Sequence, residues 1–522
     1  MINMINDNFS AAELLSILCD YAQRKLNLSP LDRIAAENNL LSYFKEPQRA
    51  IAQDSQGKDL QTDILDPLLS IAKAEYLWRE DSERILCETK IMGFVTPSPA
   101  VVAFRFDAIA SNSGIPSALD YLNAISVNSN YIRMADIKKN VRWKTPYCGE
   151  KGEIKVTINL AKPEKNNRDV SLDALEPANK YPACALCVEN VGFAGSHFQA
   201  PRQTLRVIPI WLADEPWYLQ FSPYVYFEHH AIALSEVHRP MKISAKTFTR
   251  LLDFVDLFPD YFIGSNADLP IVGGSILAHD HFQGGKRELP MFSRPFTNTF
   301  DCKSEEDGIT DLKISIVDWY NSCIAITSSN RSQLQAAANE IFEFWKTYSD
   351  EKTSPKIVAL DKNGEHNTVT PVAVKNGDEY TLYMLLRNNR CDTANKHGIF
   401  HSPDDCHHIK SEGIGLIEAM GLFILPGRLH EEFASIKKVL TGKISILDAM
   451  QDKSLDQHGK MLSALVAQTN AVPVNEEEAQ NLIEAYVYST CEKILNATAV
   501  FKNTPAGKTA FIKFLRSAGL PC

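Results

Sequence analysis

The densest chemistry in the chain lies in Gly273-Gly274-Ser275-Ile276-Leu277-Ala278-His279-Asp280-His281-Phe282-Gln283-Gly284-Gly285. Two histidines and a glutamine alternate there. Residues i, i+2 and i+4 of a strand share a face, so the spacing predicts a strand that presents His279, His281 and Gln283 to one site; on a helix the imidazoles would point apart. The paired glycines at either end allow close backbone approach to a ligand and leave N–H groups for phosphate oxygens. A neutral imidazole nitrogen is available near pH 7 and can attack phosphorus, and the resulting phosphoramidate is labile enough to pass the group on. The pattern therefore points to group transfer. Gln283 would hydrogen-bond a non-bridging phosphate oxygen, and a backbone carbonyl would hold the other ring nitrogen of His281.

The second signal is Cys184-Ala185-Leu186-Cys187, two thiols at a spacing that zinc sites use. A redox pair would sit at a helix start in a βαβ setting, and Pro182 and the β-rich surroundings argue against that. Further ligands could come from His279 and from His229 or His230; Phe227 to Leu234 reads as a strand, so only one of that pair can serve. Three other patterns carry less. Gly507-Lys508-Thr509 ends like a phosphate-binding loop but has Lys502 where the first glycine belongs. Gly413-Ile414-Gly415 matches half of a dinucleotide fingerprint and lacks a preceding apolar strand. The cluster His401, Asp404, Asp405, Cys406, His407 and His408 has no regular ligand spacing and reads as a polar loop.

These groups need elements to position them. Ser10 and Glu13 form a capping box ahead of Leu14, Leu15, Ile17, Leu18, Tyr21, Ala22 and Leu26, a core-facing helical stripe. From about Glu153 the texture turns to short β-rich runs, EIKVTINL, TLRVIPIWL, WYLQFSPYVYF and HAIAL, consistent with a largely antiparallel sheet. Ser244 then opens a helix that Pro259 closes. After Pro290 the sequence echoes this order, with LKISIVDWY, CIAIT, PVAV and YTLYMLL around a helix near Gln333 to Tyr348, which hints at two related halves. A further helix follows Asn475 and Glu478. The expected class is α+β, divided as a mostly helical region 1–110, a half carrying the histidines at 111–295, a second half at 296–435 and a helical region 436–522.

Composition bounds the function. The 522 residues are 45% hydrophobic and 23% charged, ordinary for a folded globular protein. A formal charge of -10, with no run dominated by Lys or Arg, excludes a counterion-releasing nucleic-acid surface. Eleven cysteines are too few for a disulfide scaffold and fit a reducing compartment. No export signal and no apolar run of about 18 residues is evident, so a cytoplasmic protein without membrane attachment is expected. Any anionic ligand must then be held locally, and Lys286, Arg287, Arg387 and Arg390 are candidate cations.

NADLPIVGGSILAHDHFQGG, INLAKPEK from Ile158, YPACALC, the Tyr224 to Leu234 stretch, LLRNNR from Leu385 and IFHSPDDCHHIKSEGIGLIEAMGLFILPGRL from Ile399 together resemble the galactose-1-phosphate uridylyltransferases, in their second type. The resemblance covers most of the chain. It implies a histidine-triad-like fold with antiparallel sheets in two related halves, a homodimer, and exchange of UMP between UDP-glucose and galactose 1-phosphate by double displacement. His281 falls on the uridylylated nucleophile and Gln283 on the glutamine that contacts the transferred phosphoryl group. Asn266, Gly274 and Ser275 fall on active-site positions, and Lys410 and Glu418 in the region similar to the hexose-phosphate-binding segment. Zinc in the first type maps onto Cys184, Cys187, His230 and His279. Two rival readings remain, a histidine-triad nucleotide hydrolase or phosphorylase, which Gln283 disfavours, and a non-catalytic sugar-nucleotide-binding protein.

Overall fold

The computed structural model describes residues 9–51, 56–143, 147–161, 181–196, 199–274, 276–304, 309–449 and 451–519. Its centre is a ten-stranded sheet. The strands are β1 Ile208–Leu212, β2 Glu215–Phe221, β3 Ala231–Ser235, β4 Tyr261–Gly264, β5 His281–Lys286, β6 Phe296–Ser304, β7 Ile309–Val317, β8 Cys323–Ser328, β9 Asn367–Asn376 and β10 Glu379–Asn388. Their spatial order is β1-β2-β3-β5-β4-β9-β10-β8-β7-β6, and every neighbouring pair is antiparallel. Read inward from each edge, the first five strands run 1-2-3-5-4 and the last five 6-7-8-10-9. The echo in the sequence is thus a repeated topology, and the halves meet where Ile263 and Gly264 of β4 pair with Ala373 and Val372 of β9.

Each half inserts one helix between its third and fourth strands. Ala245–Leu257 starts at Ser244, whose side chain forms a capping box with Thr247. Arg331–Thr347 starts at Asn330, which accepts from the Ser332 and Gln333 N–H groups. Phe248, Leu251, Leu252 and Val255 of the first helix, and Leu334, Ala338, Ile341 and Trp345 of the second, form one buried stripe each against the same sheet face. Fully burying one such side chain stabilises by about 1.5–3 kcal/mol. Helices from Ala11–Lys25 to Ile115–Asn128 join that apolar layer, and the Ser10–Glu13 capping box is present.

The opposite face is covered by the second half's own continuation. Leu422–Pro426 pairs in parallel with Gly152–Asn159, and helices Arg428–Leu440 and Glu476–Thr498 pack behind them. This double cover explains why β10 is buried from Tyr380 to Asn388, whereas edge strand β1 alternates buried and exposed. Gly507 lies in helix Pro505–Ser517 and not in a phosphate-binding loop. No helix among the described residues is long and apolar enough to cross a membrane.

Candidate active site

His281 opens β5 opposite Leu234 of β3 and is buried. Its Nδ1–H donates to the His279 carbonyl at 2.7 Å, which leaves Nε2 with its lone pair. Burial drives the imidazole down to about 4, with the bond to the His279 backbone only partly opposing, so the ring is neutral at pH 7. Gln283 follows on the same face. Its Oε1 accepts from His230 Nε2–H at 3.2 Å, so its amide N–H groups remain for an oxygen of a ligand.

His279 precedes the strand instead of belonging to it, and its ring turns away from His281. The Cys184 Sγ and Cys187 Sγ atoms lie 3.2 and 3.6 Å from its Nδ1 and 3.5 Å from each other. The fourth member of this group is His238, with Nδ1 3.2 Å from the Cys187 Sγ. All four donor atoms lie within 4.8 Å of one another. The assignment of His230 to this group is therefore corrected. Residues 227–230 form a turn instead of a strand, His229 takes a φ of 54°, and His230 points along the sheet to Gln283. His229 instead bonds the Tyr261 hydroxyl through Nδ1 at 2.6 Å. The sequence signal for His238 was its place in the loop just after β3, beside the strand that pairs with β5. His279 Nε2–H donates to the Ser235 carbonyl at 2.9 Å, which frees Nδ1 for a metal. Burial pushes the Cys184 thiol up, but the His279 ring and the Leu186 N–H outweigh it and bring it down to about 6.

Asp280 and Phe282, which interleave with the histidines, explain how the strand is held. Asp280 lies 3.4 Å from both Arg239 and Arg250, and Glu215 takes the same two arginines at 2.7 Å each. Phe282 stacks on the fully buried Trp217 at 4.7 Å on the other sheet face, and the Arg250 guanidinium lies over that indole at 5.3 Å.

The predicted substrate residues converge on the segment Ile414–Glu418, which crosses the sheet above Gly264. Gly264 pairs with Gln283, and a Cβ added there would meet Leu416 Cδ1 at 2.4 Å and the Pro371 carbonyl at 2.8 Å. Asn266, buried, accepts the Leu416 N–H at 2.8 Å. Gly274 lies against it, where a Cβ would stand 2.5 Å from Asn266 Nδ2. Buried Lys410 donates to Glu418 Oε1 at 3.1 Å and to the Ile424 carbonyl at 3.0 Å. Ser275 lies outside the described residues, as do residues 162–180, which hold the second half of INLAKPEK. In the polar loop after β10, His397, Asp404 and His407 bring donor atoms within 4.8 Å of one another on an exposed surface, while His401 is buried.

Comparison with known proteins gives a consistent answer. Residues 54–240 match the model of the galactose-1-phosphate uridyl transferase N-terminal domain and residues 254–456 that of the C-terminal domain. A galactose-1-phosphate uridylyltransferase of Caldanaerobacter subterraneus subsp. tengcongensis is 42% identical over 98% of both chains. That of Clostridium acetobutylicum is 41% identical over 93% of this chain and 95% of its own, and that of Bacillus subtilis 38% over 98% of both. Among solved structures, a yeast Ap4A phosphorylase is similar with a TM-score of 0.29 and 10% identity, over 62% of this chain and 85% of that one, too distant to carry an argument. With an α+β fold of two related halves and full-length relatives of one name, this chain belongs to the galactose-1-phosphate uridylyltransferase family.

Proposed function

We propose that this protein transfers UMP from UDP-glucose to galactose 1-phosphate through a covalent uridylyl-histidine. The observation that carries this is the His281 Nδ1–H bond to the His279 carbonyl, which fixes the tautomer with Nε2 as nucleophile in a buried site. Nε2 attacks the α-phosphorus of UDP-glucose, the bond to the β-phosphate oxygen breaks, and glucose 1-phosphate leaves. Galactose 1-phosphate then attacks the same phosphorus through a phosphate oxygen, the P–N bond breaks, and UDP-galactose departs with the imidazole restored. Gln283 donates to a non-bridging oxygen as charge grows there, held in that orientation by His230. Asn266, Gly274, Ser275, Lys410 and Glu418 are the residues we assign to the substrates.

The residues Cys184, Cys187, His238 and His279 suit zinc. Zinc–sulfur and zinc–nitrogen bonds of about 2.3 and 2.0–2.1 Å in a tetrahedron put ligand atoms about 3.3–3.8 Å apart, and the observed separations among these atoms include 3.2, 3.5 and 3.6 Å. With four protein ligands the ion would supply structural cross-linking. The enzyme is read as a cytoplasmic homodimer, and a monomeric mass by sedimentation would reject the dimer.

The test is incubation with UDP-glucose labelled in the α-phosphate, without acceptor. Label on the peptide holding His281, leaving as UDP-galactose when galactose 1-phosphate is added, is the expected result. Slow release of UMP with no label would replace the transferase reading by a hydrolase.

A further inference from the structure

Of the four cations that the sequence offers to anionic substrates, three are engaged at or near the surface. Lys286 pairs with Glu228, Arg287 with the Asn376 side chain and two carbonyls, and Arg390 donates to the Lys356 carbonyl. Arg387 differs. It is 1% exposed, donates once, from Nη2 to the Ile414 carbonyl at 2.8 Å, and has no hydrogen-bond partner at Nε or Nη1. No carboxylate lies within ion-pair reach of it among the described residues; Glu418, whose charge it feels, is bound to Lys410. A buried guanidinium left this way costs several kcal/mol in desolvation.

Its neighbours are incomplete in the same way. Thr368 and Thr370 of β9 lie opposite Arg387 and Leu385 of β10, so Thr370 shares the sheet face of Arg387 one diagonal step away. Its hydroxyl is fully buried with no partner. His401, 4% exposed, also has both ring nitrogens unpartnered, and burial first and the Arg387 charge second lower its proton affinity. Native interiors leave few such groups unsatisfied, and Arg387 and Thr370, with three unpaired polar atoms on one sheet face, are a concentration that a ligand would explain.

We infer that Arg387 and Thr370 form a buried subsite for a phosphate-type oxyanion, with the guanidinium supplying charge and the hydroxyl a further hydrogen bond. The Arg387 bond to Ile414 ties it to the segment that Asn266 holds two residues on at Leu416 and that bears Glu418. Such an anion has two sources, free phosphate or the phosphate group of the hexose 1-phosphate. The second source rests on the function proposed above; the site itself does not.

The full-length protein is tested with inorganic phosphate, and separately with galactose 1-phosphate, by thermal shift. Ligand at about 100 times its Kd raises stability measurably, so wild type should show a rise in Tm that Arg387→Met lacks. Because the substitution removes an unpaired buried charge, its Tm without ligand should equal or exceed that of wild type. A fall in Tm with the phosphate response intact would make Arg387 structural and overturn the inference, as would a wild type that responds to neither ligand. If Arg387→Met does not fold, the near-isosteric Thr370→Val decides, with about a fivefold loss of phosphate affinity expected and no change overturning the site. A rise of tenfold or so in KM for galactose 1-phosphate in Arg387→Lys, together with slower labelling of His281 by UDP-glucose, whose β-phosphate becomes the phosphate of the departing hexose 1-phosphate, assigns the site to the substrate. An unchanged KM with a lost phosphate response assigns it to free phosphate. Absence of His281 labelling in wild type would count against the proposed function alone.

Discussion

The two halves of the sheet share one topology and differ in what they place on it. In the first, β5 presents His281 and Gln283 on the face away from the inserted helices, with Phe282 packed on Trp217 behind. In the second, β10 stands in the equivalent place, and the same face carries Tyr383, Leu385 and Arg387. One copy holds the histidine we propose as nucleophile and the other an apolar wall that ends in a cation. Yet the first half alone makes no site, because the segment over its Gly264 and Asn266 comes from the chain that follows β10. A repeated fold has thus divided its labour, and topology alone would not have said which copy does the chemistry.

The sharpest way to break that division is His281→Ala. Loss of label on the protein and a fall in turnover of about 10⁴-fold or more are expected; residual labelling elsewhere in the chain would relocate the nucleophile. Next is the pairing of His238 with the thiols. His238→Ala should lose bound metal, measured by elemental analysis, and lower Tm, while His230→Ala should keep its metal. If His230→Ala loses it instead, the assignment reverses. On the other half, Leu385→Ala opens a cavity in the wall and should cost about 2–5 kcal/mol, read by denaturant unfolding, with labelling per folded molecule unchanged. His230→Ala should slow labelling about 10–100-fold by freeing Gln283 to rotate. The smallest effect is in pH. An ordinary imidazole is mostly protonated at pH 5.5, but the protonation of His281 is pushed to about 4, so labelling should still run at pH 5.5 and fall only as pH approaches 4. A midpoint near 6.5 would show a solvated ring.

Much of this arrangement was legible beforehand. Alternating His and Gln marked a strand that holds His281 and Gln283 but not His279, the Ser10 and Ser244 caps marked helix starts, and the second set of apolar runs marked a second half. The carbonyl partner of His281 was predicted in kind, though only the fold could supply His279 as its owner. What could not be read was long-range and set by turns. The left-handed turn at His229 sends His230 to Gln283 and leaves His238 to meet the thiols, whereas the supposed strand had limited the choice to His229 or His230 and the family resemblance had pointed to His230. Likewise the sequence offered Arg387 as one of four candidate cations for an anion without distinguishing it from the others, and only its place opposite Thr368, fully buried, did so.

Gly264 has a consequence of its own. It lies at the seam between the halves, next to Gln283, and the space where a side chain would stand is taken by Leu416 and the Pro371 carbonyl. Its missing side chain sets the clearance between the floor and the segment laid over it. Even one methyl group there would lift Leu416 and slacken its bond to Asn266. Elsewhere the duplicated halves have room to diverge; at this position divergence has nowhere to go, so the part of the site with the least tolerance to drift is the residue with nothing to mutate away.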